Sequence, residues 1–212
     1  MNTNQKKVGI GFWLTWVSAS ALGFGVGPIL GVAIPVAAHV DGIARPVLFG
    51  AIFGATGAFA QWMIIRRQAQ EAGLWIPFSA VAFMMSVMSA ASGGSNVSPD
   101  FNPLFMLASI YGLLGGFLQG LLLEKRGVPI VWWMAASVIG GLLGAAVSGS
   151  AIAAVDSKAA WQLRTMESFL IWFRLGAPIG LGLGITTGAT LLWFLRNPKG
   201  ESKDEVAMQE TR

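Results

Sequence analysis

The sequence predicts an all-α polytopic membrane protein, with six transmembrane helices arranged as three repeated helical hairpins. Three observations carry this. Apolar residues make up 54% of the chain and charged residues 11%, against roughly 25% charged residues in a soluble domain. Apolar stretches near the length of about 20 residues needed to cross a bilayer occur six times. A frame of Trp, Ser and small residues then recurs at a near-constant interval.

The spans follow in order. No charge lies between Lys7 and His39, so the first fits from about Ile10 to about Gly31. Pro28 and Pro35 are expected to bend or stop its far end. Its apolar run is about twice the core of a signal peptide, so it is expected to stay as a span. The second runs from about Pro46 to Ile65 and ends at Arg66-Arg67. The third, Leu74 to about Ala91, is short and passes into the turn-rich Ser92 to Pro103. The fourth covers Leu104 to Leu123, closed by Glu124-Lys125-Arg126, and the fifth Val128 to about Ala151. After a longer connection the sixth covers about Leu175 to Leu195, closed by Arg196-Asn197-Pro198. Within that connection Leu163, Met166, Leu170 and Phe173 fall at helical spacing, flanked by Trp161 and Trp172. That pattern predicts a helix over Ala160 to Phe173 lying at the outer interface. The hairpins thus occupy about 10–67, 74–126 and 128–196 of a transmembrane domain 1–198, and the charged stretch 199–212 reads as a disordered cytoplasmic tail.

Orientation follows from the basic residues. One side carries Lys6, Lys7, Arg66, Arg67, Lys125, Arg126, Arg196, Lys199, Lys203 and Arg212; the other carries Arg45, Lys158, Arg164 and Arg174. The excess of Lys and Arg in short loops marks the cytoplasmic side, which predicts a bacterial inner membrane protein with both termini inside.

The repeat is read from matched positions. The odd spans show Trp16, Ser20, Gly23, Gly27, Gly31; then Trp75, Ser79, Ala82, Ser86, Ala90; then Trp133, Ser137, Gly140, Gly144, Ser148. Among the even spans, Gly54, Ala58 and Gln61 match Gly112, Gly116 and Gln119, while the third unit is longer and has no matching Gln. Small residues four apart form a stripe on one helix face, and the sixth span has Gly176, Gly180, Gly184 and Gly188. In lipid, such stripes let backbones approach closely enough for dispersion to hold helices together. Gln61 and Gln119, inside the membrane, are expected to hydrogen-bond between helices, and Thr186, Thr187 and Thr190 to bond back to their own helix. Most of the nine tryptophans sit near span ends, where an aromatic belt is expected.

Little in the chain suggests chemistry. There are no cysteines and one histidine, His39, in a loop with Asp41 and Arg45, whereas zinc needs three or four protein ligands. No carboxylate pair, triad or phosphate-binding loop can be drawn, so no metal or cofactor is predicted, and no enzymatic activity. Arg174 and Glu167, seven residues apart, share a helix face and can pair, and Arg174 is expected to snorkel to the interface; the alternative is an outer vestibule for an anionic ligand, lined by Arg174 and Arg164 beside Glu167. Scattered rather than massed basic residues argue against a nucleic-acid partner.

The run Gly57-Ala58-Phe59-Ala60-Gln61-Trp62-Met63-Ile64-Ile65-Arg66-Arg67, with Trp75 opening the next helix, resembles a group of uncharacterised multipass proteins of cyanobacteria and related bacteria. These share repeated Gln-Trp and Arg-Arg helix ends, and the resemblance implies no activity. The second copy departs from the pattern at Gly120 and Glu124. In size and span count the chain is also similar to substrate-capturing subunits of vitamin transporters, a fold-level analogy without a shared motif. The expected role is a non-catalytic accessory or assembly subunit of a larger membrane complex, contacting membrane lipids and other subunits or itself, with lipid or pigment as its ligand. The alternative is a small-solute transporter or ligand-capturing permease subunit.

Overall fold

The computed structural model describes residues 9–66, 72–93, 103–152 and 166–197. Among these residues are six α-helices: α1 (Ile10–Ala37), α2 (Ala44–Ile65), α3 (Trp75–Gly93), α4 (Pro103–Glu124), α5 (Ile130–Ile152) and α6 (Met166–Arg196). A 3-10 turn, Ala72–Leu74, leads into α3. Each helix is long and apolar enough to cross a membrane, the architecture of a multipass membrane protein. Tail residues 199–212, Arg67, most of Ser92 to Pro103 and the start of the fifth–sixth connection lie outside the described residues.

Each helix packs against its neighbours in the chain, and α6 packs against α1, so the six close into a ring. Three buried clusters fill it. One, around Trp16, Trp75 and Trp133, lies at the end where α1 begins and α6 stops. Phe24, Phe53, Phe83 and Tyr111 form the middle, and Val32, Trp172 and Leu175 the far end.

Two expectations about helix ends are corrected. Pro28 and Pro35 do not stop α1, which runs for 28 residues through both. Proline removes the bond to the carbonyl four residues back; for Pro28 that carbonyl belongs to Phe24, and it faces the backbone of Gly176 on α6. A freed carbonyl is tolerated in a membrane helix when a neighbouring helix covers it, here through close Cα–H contact. The second correction concerns the interfacial helix. Residues from Met166 to Phe173 are the first two turns of α6 itself, which runs unbroken for 31 residues. At 1.5 Å per residue α6 is about 46 Å long, and one side of its overhang packs inward, with Trp172 buried beside Val32 and Leu175 while Phe169 and Leu170 stay exposed.

Two helices end in the same device. His39 (φ 53°) and Gly127 (φ 78°) are left-handed. Val40 N–H bonds Pro35 O and His39 N–H bonds Val36 O, while Val128 bonds Leu123 O and Gly127 bonds Glu124 O. These are Schellman motifs, which satisfy the last carbonyls of a helix and turn the chain. His39 is therefore an exposed turn residue at the end of α1.

Candidate functional site

The most constrained polar arrangement lies on the ring axis. Trp16, Trp75 and Trp133 come from α1, α3 and α5, and each is almost wholly buried. Their rings meet edge to face, at centroid separations of 6.0 Å (Trp16–Trp75), 6.3 Å (Trp16–Trp133) and 5.7 Å (Trp75–Trp133). Such pairs add about 0.5–1.5 kcal/mol each beyond burial. The aromatic-belt expectation is thus corrected for these three, while Trp132 and Trp193 do stand on the outside, 62% and 66% exposed.

A buried indole N–H needs an acceptor, because in hydrocarbon no water replaces one. Trp75 Nε1 donates to Gln61 Oε1 at 3.1 Å, and Gln61 Nε2 donates to Ser20 Oγ at 3.0 Å. The same relay recurs between later helices: Trp133 Nε1 to Gln119 Oε1 at 3.2 Å, and Gln119 Nε2 to Ser79 Oγ at 2.7 Å. Each amide therefore ties the odd helix before it to the odd helix after it. Ser79 and Ser137 donate in turn to the carbonyls of Trp75 and Trp133. The Tyr111 hydroxyl joins this network at Ser79 and Gln119.

Sequence reasoning missed the third acceptor. Trp16 Nε1 donates to Thr187 Oγ1 at 3.0 Å, so a threonine on α6 stands where α2 and α4 carry glutamine. Gln61 and Gln119 lie five residues before Arg66 and Glu124, whereas Thr187 lies nine before Arg196. The extra helical turn at the end of α6 hides the match from spacing alone. A usable signal was present eight residues earlier: Phe53, Tyr111 and Ile179 precede Gln61, Gln119 and Thr187 by the same interval and occupy one core cluster. Thr187 also bonds back to Leu183 O, and Thr190 to Thr186 O at 2.9 Å. Thr186 additionally reaches across to Ala136 O on α5 at 2.7 Å.

The relay predicts a measurable cost. Thr187→Val keeps the shape but deprives Trp16 of its acceptor, and should lower stability by about 1 kcal/mol, the scale of a hydrogen bond between membrane helices. Denaturation of the detergent-solubilised protein, followed by tryptophan fluorescence, reads it directly. An unchanged midpoint would remove Thr187 from the network.

The small residues line the helix seams. A Cβ on Gly23 would come 2.7 Å from Ala60 Cβ and one on Gly27 2.6 Å from Phe53 Cδ2, both on α2. Gly112 and Gly116 would meet Val138 Cα at 2.6 Å and Met134 Cα at 2.9 Å on α5. Gly140 and Gly144 abut Leu183 and Ile179 of α6, and Gly176, Gly180, Gly184 and Gly188 abut α1 from Phe24 down to Trp16. Ser148 adds a bond to Leu175 O at 2.7 Å.

Of the vestibule residues, Glu167 and Arg174 are exposed at the outer end of α6, and Arg164 lies outside the described residues. No group of three or more His, Cys, Asp or Glu that could hold a metal occurs among the described residues. Every buried side-chain nitrogen and oxygen among them has a hydrogen-bond partner. Comparison with family models, curated proteins and solved structures gives no match.

Proposed function

We propose that the chain is a non-catalytic accessory or assembly subunit of a larger membrane complex, built from three copies of one helical hairpin and held in a bacterial inner membrane with both termini cytoplasmic. The carrying observation is the filled interior of the ring. Three indoles close one level and Phe24, Phe53, Phe83 and Tyr111 the next, with Phe53 and Phe83 centroids 4.2 Å apart. Transporters place ionisable or unwound-backbone sites near the midplane. Here the middle of the ring is filled by Phe24, Phe53, Phe83 and Tyr111, and the polar side chains of the relay nearer one end bond to one another, which suits a rigid scaffold. The recurrence of the Trp–Gln–Ser relay at 58 residues supports the triplication, and the ten-to-four division of basic residues supports the orientation.

Purification in a mild detergent, followed by native mass and absorbance measurements, tests the proposal. A particle containing stoichiometric partners, with or without a bound pigment, is expected and would name the complex. A colourless particle of one or two chains would overturn the subunit reading. Uptake assays comparing the wild type with Arg174→Ala would then decide for the permease alternative.

A further inference from the structure

We propose that the ring opens laterally between α3 and α4, these two helices parting about a hinge at the Gln119–Ser79 hydrogen bond. The repeat points to this seam. Within the first hairpin Gly23 and Gly27 lie against α2, and within the third Gly140 and Gly144 lie against α6. At the matching positions of the second hairpin stand Ala82 and Ser86, whose side chains keep the backbones of α3 and α4 further apart. Glycine also closes the seams between hairpins. An added Cβ would come 2.7 Å from Met84 Cα at Gly50, 2.6 Å from Val138 Cα at Gly112, and onto the Phe24 carbonyl at Gly176. Between α3 and α4 the corresponding glycine is Gly115, where an added Cβ would stay 3.3 Å from Ala82 Cβ. Helices in lipid gain little from hydrophobic burial against one another, so a seam without close backbone approach has less dispersion to hold it.

The hinge lies where the seam is tied. Gln119 Nε2 donates to Ser79 Oγ at 2.7 Å, and the Tyr111 hydroxyl bonds to the same pair, at the level of the tryptophan triad. Away from that tie α3 is the softer wall. Ser79 and Ser86 both bond back to carbonyls four residues earlier, at 2.8 and 2.7 Å, a pattern that bends helices, and α3 is the least buried of the six spans. Parting on the side of the hinge away from the triad opens Phe83 and Tyr111, in the middle of the ring, to lipid acyl chains. The relay itself stays intact.

The test uses the full chain in lipid nanodiscs. It has no cysteine, so spin labels attach only at introduced ones. Met85→Cys with Leu113→Cys spans the α3–α4 seam, and Leu22→Cys with Leu181→Cys spans the α1–α6 seam. All four positions are exposed, and Leu113 and Leu181 each lie six residues before the indole acceptor on their helix. Double electron–electron resonance should show a second, longer-distance population for the α3–α4 pair and a single population for the α1–α6 pair. Ala82→Gly with Ser86→Gly, which restores the glycines of the other hairpins, should remove the second population. A single population across both seams would overturn the proposal. So would a second population across both, the mark of a loose bundle, or one that persists in the glycine variant. The subunit reading depends on co-purifying partners and is untouched by either result.

Discussion

Replacing Gly176 with alanine is expected to be the most damaging glycine-to-alanine change among the described residues. The new Cβ would lie on top of the Phe24 carbonyl oxygen and 2.8 Å from Pro28 Cγ. Neither neighbour can yield, because that carbonyl is the one Pro28 leaves without its helical partner, and it is covered only while α6 stays close. α1 and α6 would have to part, exposing the carbonyl to hydrocarbon. Overpacking of this kind costs about 1–3 kcal/mol, and a seam that loses a covered carbonyl as well should lose about 3 kcal/mol or more. Gly180→Ala should be similarly severe, since its Cβ would collide with Ser20 O. Gly184→Ala, 2.9 Å from Val17 Cα, should be milder, and Gly188→Ala, whose nearest atoms belong to the Trp16 and Trp13 side chains, milder again. Gly11, with nothing within 4 Å, should accept alanine without loss. The measurement is the monodisperse fraction and thermal midpoint of each purified variant. A flat series, with Gly176→Ala no worse than Gly11→Ala, would contradict the packing described.

Trp133→Ala should destabilise the protein by about 3–5 kcal/mol, the cost of emptying a buried aromatic site. Three effects coincide there. The indole is 1% exposed, it contacts both other indoles of the triad, and it donates to Gln119. Its chain neighbour gives an internal control: Trp132 is 62% exposed on the outside, so Trp132→Ala should change the midpoint little. Trp133→Phe separates packing from hydrogen bonding. It retains a ring but leaves Gln119 Oε1 without its donor, for a loss of about 1–3 kcal/mol. Chemical denaturation of the three variants checks the order. If Trp132→Ala costs as much as Trp133→Ala, the triad is not the centre of the core.

The repeated positions were legible before any coordinates. Trp16, Trp75 and Trp133, each with a serine four residues on and the first two with a glutamine in the next helix, stand out because membrane helices contain few polar residues to confuse the pattern. The span count was legible for the same reason: a hydrocarbon slab imposes one length and excludes charge. Helix ends were less so. A proline reads as a stop, yet the cover provided by Gly176 lets α1 continue through Pro28. An amphipathic approach segment reads as a separate interfacial helix, yet the residues from Met166 onward are continuous with α6.

By itself the sequence determined the all-helical class, six apolar helices, and which residues are small enough for close approach, since these depend on composition and local spacing. Only the tertiary structure decided that the ring closes α6 onto α1, that three tryptophans face inward rather than toward the headgroups, and that Thr187 completes what two glutamines begin. Those outcomes depend on where a side chain finds its partner across the bundle. An indole goes to the axis only if an acceptor from another helix waits there, and spacing along one helix does not contain that information.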